Sequence, residues 1–600
     1  MCGVFGMFLS RPLREDDIAL GRQGNELLAH RGPDGQGEFF DIGDGVYLGH
    51  RRLRIIDLSE RAKQPMTRGK TTICYNGEIY NYAELGADLA AAGVCLGTSS
   101  DTEVLLQGWL HWGPAVLDRL DGMFAFALWD GATGILAADL FGEKPLYYSE
   151  TEDGVYAASE IKVLAELLGS AQALDESRLA AFMALGFVPA PETAYRGIKR
   201  VMPGTYLIVQ DGKISKTVKY WTTPSGEPGR GPVQQLSEKA LDRIQEALVL
   251  SVSRRLVSDV PLCLFGSSGV DSSLVAGIIG RDLGADIEML TIRFKDTAVD
   301  ESVEAAAMAR DVGVEHRIVD GVAQPQDVGW NSLLDLFGQP NDNMSILASL
   351  QLAEVARENG YVVGLVGSGG DEAFYGYLKQ QFFWRHRRIM ALPEPVRLAS
   401  RIMSPLAPFS SRIRLFLDLV AVPDGERYIA VKNQPAYRAL KQIPSMKLWA
   451  KYAFAETGTP LEFEVPRIER DCVLPGSQLD SLDLGSMHVG VELRTPFLSR
   501  GLFELLANYD PRSFLAFGQK SIGRRLVARY LPKSGAANGK KGFVFPLDQL
   551  LAASMREPSV AGLPATVSSE IWKNRFSGSG WGRLAVRLAQ ADAFVNRTPA

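Results

Sequence analysis

The run Thr222–Gln234, TTPSGEPGRGPVQ, divides the chain, because apolar residues recur with a different rhythm on its two sides. Pro and Gly at this density continue neither a helix nor a strand ladder, so the run reads as a linker. Before it, short apolar runs punctuated by Gly and Asn (Gly45–Gly49, Thr71–Tyr75, Met123–Trp129) predict strands of an extended sheet, with a helix at Thr102–Trp109 between them. After it, strands at Val260–Phe265, Ile287–Phe294, His316–Val319 and Tyr361–Val366 alternate with helices at Leu236–Leu256, from Ser272, at Glu301–Val312 and at Leu347–Asn359. That alternation predicts a parallel, doubly wound α/β sheet. Arg385–Pro466 reads as mainly helical and Pro558–Ala600 as an appended tail. The expected division is a first domain at 1–210, a linker at 211–235, a second domain at 236–557 and a tail at 558–600.

Charge and composition exclude several classes. Sixty-four Lys and Arg against 70 Asp and Glu leave a net charge of −6, which argues against a generally basic protein of nucleic acids or membrane surfaces. No apolar run is long enough to span a bilayer. Met1–Leu9 is apolar before it is basic, the wrong order for a signal peptide, and a cytoplasmic location is expected. The five cysteines are odd in number and lack CxxC spacing, and the six histidines include no HExxH, so neither a disulfide framework nor zinc chemistry is expected. Magnesium stays open, since it needs only one or two carboxylates beside phosphate oxygens.

Cys2 carries the first chemical signal. With Met1 removed, thiol and α-amine belong to one residue, and an amine of pKa about 7.7–8.0 serves as a built-in base. Downstream stand His30-Arg31-Gly32-Pro33-Asp34, His50-Arg51-Arg52-Leu53, Tyr75-Asn76-Gly77-Glu78, Ser99-Ser100-Asp101-Thr102-Glu103, Phe141-Gly142-Glu143-Lys144-Pro145 and Ala158-Ser159-Glu160. Together they resemble the glutaminase domain of class II, N-terminal-nucleophile glutamine amidotransferases, in the asparagine-synthetase branch. The resemblance implies an αββα fold in which Cys2 attacks the glutamine amide and Arg52 binds the substrate carboxylate. Asp101 and Glu78 would hold its ammonium, and Asn76 with the Gly77 N–H would form the oxyanion hole.

In the second half, Gly266-Ser267-Ser268-Gly269-Val270-Asp271-Ser272 lies at a strand-to-helix junction, where small residues and a helix N-terminus favour an anion. Gly367-Ser368-Gly369-Gly370-Asp371-Glu372 follows the strand predicted at Tyr361–Val366. The first loop lacks the Walker A pattern and resembles the pyrophosphate loop of ATP-pyrophosphatases. The resemblance implies that Ser267, Ser268, Gly269, Asp271, Ser272, Ser368, Gly369 and Gly370 bind ATP, and that Asp271 and Asp371 hold Mg²⁺. Arg494-Thr495-Pro496-Phe497-Leu498 and Lys540-Lys541-Gly542-Phe543 are similar to further asparagine-synthetase signatures, with Lys540 neutralising phosphate charge.

The implied reaction hydrolyses glutamine, activates a carboxylate as acyl-AMP and joins the released ammonia to it. Aspartate is the default acceptor, and a homodimer is left open. Three positions depart from the family pattern: Ser268 stands for Gly, Ser368 for Glu, and Leu484 for a basic residue. Gln339-Pro340-Asn341-Asp342-Asn343 is also less acidic than that segment usually is. Relatives amidate sugar acids, close β-lactam rings or cyclise peptides, so another small carboxylate acceptor is an alternative. A non-catalytic binding relative is a second one.

Overall fold

The computed structural model describes residues 2–169, 174–293, 300–320, 329–406, 412–422, 424–434, 436–443, 459–532, 550–552, 554 and 556–597. Lys540 and the Lys540–Phe543 run lie outside them.

Among the described residues, twelve strands build the first half: β1 (Gly3–Leu9), β2 (Gly35–Asp41), β3 (Val46–Arg52), β4 (Met66–Arg68), β5 (Thr71–Ile79), β6 (Gly122–Trp129), β7 (Gly134–Ala138), β8 (Tyr147–Glu150), β9 (Gly154–Ala158), β10 (Ile198–Arg200), β11 (Thr205–Gln210) and β12 (Lys213–Lys219). They form two antiparallel six-stranded sheets, in the orders β10-β8-β9-β1-β3-β2 and β12-β11-β7-β6-β5-β4. Val4 and Phe8 of β1 pack against Cys74, Ala125 and Ala127 of the other sheet, so the sheets stack face to face. Helices cover the outer faces, Asp101–Trp112 on one side and Ile161–Leu167 on the other. Strands β1, β5 and β6 are buried along their whole length, which explains why they read as continuous apolar runs and not as alternating ones. This is the expected αββα sandwich.

The second half is built on a five-stranded sheet in the order β15-β14-β13-β16-β17, formed by β13 (Leu262–Phe265), β14 (Glu288–Arg293), β15 (His316–Asp320), β16 (Val363–Leu365) and β17 (Glu492–Arg494). All four pairings are parallel. The chain runs outward from β13 to β15 and returns on the other side to β16. The β13/β16 boundary is therefore a topological switch point, where open α/β sheets bind ligands beyond the strand ends.

Two expected boundaries need correction. The linker does not begin at 211, because Lys213–Lys219 pairs with β11 as the edge of its sheet. Its sequence, KISKTVK, looked like linker because an edge strand is protected from further pairing by lysines. Of the stretch expected to be an appended tail, residues 558–597 are described, and they pack onto the rest of the protein. The helix Ser579–Asn596 packs Leu584, Ala585, Leu588 and Ala591 into a cluster with Phe182, Met183 and Leu185 from the helix Glu176–Leu185. Arg587, fully buried there, binds Asp342 at 2.7 Å and donates to the Met183 carbonyl at 2.6 Å and to Asn433 Oδ1 at 2.7 Å. Asp342 and its neighbours thus serve as scaffold, with Asn341 bonded to Gln590 and Gly476 and Gln339 to Ala194.

Removing one partner of a buried ion pair strands the other. Arg587→Ala is therefore expected to cost about 3–5 kcal/mol in this cluster. Urea titration followed by tryptophan fluorescence reports it, since Trp572 and Trp581 lie in the same cluster. A midpoint equal to the parent's would contradict the assignment.

Candidate functional site

The first site forms where β1, β3 and β5 place their ends together. Cys2 is buried, and its N–H donates to Asn76 Oδ1 at 2.8 Å. That bond orients the Asn76 amide, and its Nδ2, also buried, has no partner among the described residues. A Cβ on Gly77 would fall 2.1 Å from the Met123 carbonyl oxygen, so only glycine fits at this point of β5. An idle amide donor and a side-chain-free backbone beside a thiol are what an oxyanion requires.

Cys2, Arg52, Gly77, Glu78 and Asp101 line one pocket of about 350 Å³ of unfilled space. Arg52 donates to the carbonyls of Ser59 and Asp57, which aims the guanidinium without neutralising it. Asp101 accepts from the Tyr75 hydroxyl at 2.8 Å, from the Ile79 N–H at 3.1 Å and from the Thr102 N–H at 2.8 Å. Burial, then the neighbouring Glu492 and Asp101 carboxylates, push Glu78 well above the usual range. Burial raises Asp101 as well. Against these carboxylates stands Arg494, which lies 2.6 Å from Glu492 and 3.6 Å from Glu78. The pocket holds both the Arg52 guanidinium and the Glu78 and Asp101 carboxyl groups, a combination that suits an amino acid's carboxylate and ammonium. Burial pushes the Cys2 thiol up, so a base has to be close for it to react.

The second site lies at the β13/β16 switch point. The loop 266–269 leads from β13 into the helix Val270–Gly277, and the loop 366–369 leads from β16 into the short helix Gly370–Ala373. The loops touch: a Cβ on Gly370 would meet Asp271 Oδ1 at 2.4 Å, and one on Gly367 would meet Asp271 Cβ at 2.9 Å. Gly369 is in the left-handed region with φ +90°. Ser267 accepts from the Gly269 N–H at 3.2 Å and donates to Ser272 at 3.0 Å. Ser268 donates to Glu301 Oε2 from its N–H at 3.1 Å and its hydroxyl at 2.9 Å, an anchor that glycine could make only once. Ser368 is half-buried in the second loop.

Lys520 lies between the two aspartates, paired with Asp271 and 2.9 Å from Asp371. Sequence reading missed it and assigned phosphate neutralisation to Lys540. A single lysine ahead of the amphipathic helix Ser521–Tyr530 looks like a surface residue, yet it is only 6% exposed. Asp271 and Asp371 converge closely enough to share one ammonium. Two carboxylates facing a phosphate cradle also fit the donor set of Mg²⁺. Among the described residues no three His, Cys, Asp or Glu side chains gather as a metal cluster, and no helix is long and apolar enough to cross a membrane.

Residues 1–221 match the model of a glutamine amidotransferase domain and residues 243–563 that of asparagine synthase. The chain is 29% identical to asparagine synthetase [glutamine-hydrolyzing] 1 of Bacillus subtilis, over 100% of this chain and 92% of that protein. It is 30% identical to amidase chry2 of Gibberella zeae, over 59% of this chain and 54% of that protein. It is also 29% identical to a Mycobacterium tuberculosis protein described as a putative asparagine synthetase, over 92% of this chain and 89% of that one. The chain belongs to the asparagine synthetase family and is a glutamine-hydrolysing amidotransferase of that type. As a member of that family it uses ATP.

Cys2→Ala removes the only thiol in the first pocket and nothing from the second. Glutamate release from glutamine is expected to fall to background, while amide formation from added ammonium salts persists. Glutamate release at the parent rate would contradict the assignment of Cys2.

Proposed function

We propose that the chain transfers the amide nitrogen of glutamine to a carboxylic acid that it first activates as an acyl-adenylate. The observation that carries the reading is the Cys2–Asn76 contact of 2.8 Å with the Asn76 amide donor left over beside it. With Met1 removed, the α-amine of Cys2 takes the thiol proton. The thiolate attacks the glutamine amide, and Asn76 Nδ2 with the Gly77 N–H stabilises the tetrahedral oxyanion. Arg52 binds the substrate carboxylate, and Glu78 and Asp101 bind its ammonium. The α-ammonium returns that proton to the amide nitrogen, which leaves as ammonia, and water then hydrolyses the thioester to release glutamate.

In the second site, the loops holding Ser267, Ser268, Gly269, Ser272, Ser368, Gly369 and Gly370 bind the ATP phosphates through backbone N–H groups and hydroxyls. Asp271 and Asp371 would hold Mg²⁺, which supplies charge neutralisation to the pyrophosphate when bound. Lys520 exchanges its aspartate partners for phosphate oxygens as the acyl-adenylate forms. Ammonia then displaces AMP from the acyl carbon. Ammonia released into water would largely protonate, so a sheltered path between the domains is part of this proposal.

The acceptor is proposed to be other than aspartate: a larger carboxylate such as a uronic acid or a biosynthetic intermediate. Ser368 supports this, because a hydroxyl leaves more space than a carboxylate and is a poor base for the ammonia proton. Leu484 is packed among Leu333, Phe337, Ile346 and Leu347 in an apolar cluster. The test is pyrophosphate release with glutamine, ATP and a panel of carboxylic acids, in the parent and in Ser368→Glu. AMP is the expected nucleotide product, with kcat/KM for aspartate at least about tenfold below that of the best acid, a difference of about 1.4 kcal/mol. Efficient turnover of aspartate by the parent would return the chain to asparagine synthesis, and ADP with orthophosphate would exclude adenylation.

A further inference from the structure

Arg31 is fully buried, and its guanidinium joins three groups. It donates to the Cys2 carbonyl at 3.1 Å, to Glu160 Oε1 at 3.1 Å and to Asp483 Oδ2 at 2.8 Å. The first belongs to the residue read above as the nucleophile. The last belongs to the other domain, on the helix Asp480–Met487. Asp483 is itself buried, and its second oxygen accepts from Lys144 at 3.2 Å.

Cys2 is therefore anchored at both ends. Asn76 holds its nitrogen and Arg31 holds its carbonyl, which together fix the Cα and the direction of the Cα–Cβ bond that carries the thiol. The first anchor lies within the sandwich. The second has its own direction set across the domain boundary, because a planar guanidinium with one arm on Asp483 cannot rotate without losing that bond. The chain leaving the same helix runs directly into β17, where Arg494 reaches Glu78. The segment Asp480–Arg494 of the synthetase-type domain thus meets the first pocket at two points.

We propose that Asp483 is a positioning residue for glutamine hydrolysis: acting through Arg31, it holds Cys2 in the orientation for attack, so that the glutaminase site is completed by a side chain of the other domain. The proposal rests on the reading of Cys2 as nucleophile. A misplaced nucleophile loses rate at the chemical step, whereas the pocket groups that bind glutamine stay where they are.

The experiment measures glutamate release from glutamine by the full chain in the parent, Asp483→Asn and Asp483→Glu. Asp483→Asn is expected to lower kcat by about 10²-fold, the loss that follows displacement of a reacting atom by about 1 Å, with KM for glutamine held within about twofold. Asp483→Glu, which keeps the charge, is expected to recover part of that kcat. Three results would overturn the inference: a parent-like kcat in Asp483→Asn, a fall in kcat matched by a rise in KM, or no recovery in Asp483→Glu. Should Asp483→Asn fail to fold, Arg31→Lys serves in its place, because it keeps the charge and loses the forked contact. A lower kcat at constant KM supports the inference, and a parent-like kcat overturns it. Cys2→Ala separates the two levels. If that variant still turns over, the nucleophile reading itself fails; if it is dead while Asp483→Asn is fully active, only the positioning role fails.

Discussion

One carboxylate of the second domain pairs with two cations of the first, and Glu160 supplies the further negative charge beside Arg31. Asp483 lies 2.8 Å from Arg31 and 3.2 Å from Lys144, and none of the three side chains is more than 2% exposed. Beside it Arg200 pairs with Asp480 at 2.9 Å, again with both side chains almost wholly buried. Taking such charges out of water costs several kcal/mol per ion, and only close pairing returns it. Removing any one of these ions with the interface closed would leave its partner buried and unpaired. The two halves also share apolar clusters, with the Phe141 and Phe503 rings 5.0 Å apart across the boundary, so the ion pairs fix the register of an interface that apolar packing fills. A linker that merely tethered them would not impose that arrangement.

Much of this was legible in the sequence. The change of rhythm around Thr222–Gln234 separates an antiparallel sandwich from a parallel sheet, because parallel neighbours need a crossover, usually a helix, whereas antiparallel neighbours can be joined by a short turn. The two glycine loops were legible because close approach excludes side chains: Gly370 fits against Asp271 only without a Cβ. Cys2, Asn76 and Gly77 were read as a set from the sequence, although Cys2 and Asn76 meet only because the sheet of β1 stacks on the sheet of β5.

What escaped reading is what depends on long-range contact. Lys520 carries no spacing signal and is brought to Asp271 across 249 residues by the stacking of helices on the parallel sheet. The helix Ser579–Asn596 looked like an appendage, since its burial depends on a partner, Glu176–Leu185, about four hundred residues upstream. The edge strand Lys213–Lys219 was hidden by the lysines that protect it. Arg494 stood in a recognised run, but nothing in that run says that its guanidinium ends 3.6 Å from Glu78 in the other domain. Sequence reports the chemistry of each site, and the fold alone reports the residues that join them.

The central claim is that nitrogen passes from the thiol pocket to the adenylation site within one molecule. The direct measurement supplies glutamine labelled with ¹⁵N at its amide, ATP and the carboxylic acid that elicits pyrophosphate release, in the presence of excess unlabelled ammonium. Mass spectrometry of the amide product then gives its nitrogen isotope ratio. The account predicts a product dominated by ¹⁵N at every ammonium concentration below that which saturates the ammonia-dependent reaction. A product whose isotope ratio follows the mixed ammonium pool would contradict it.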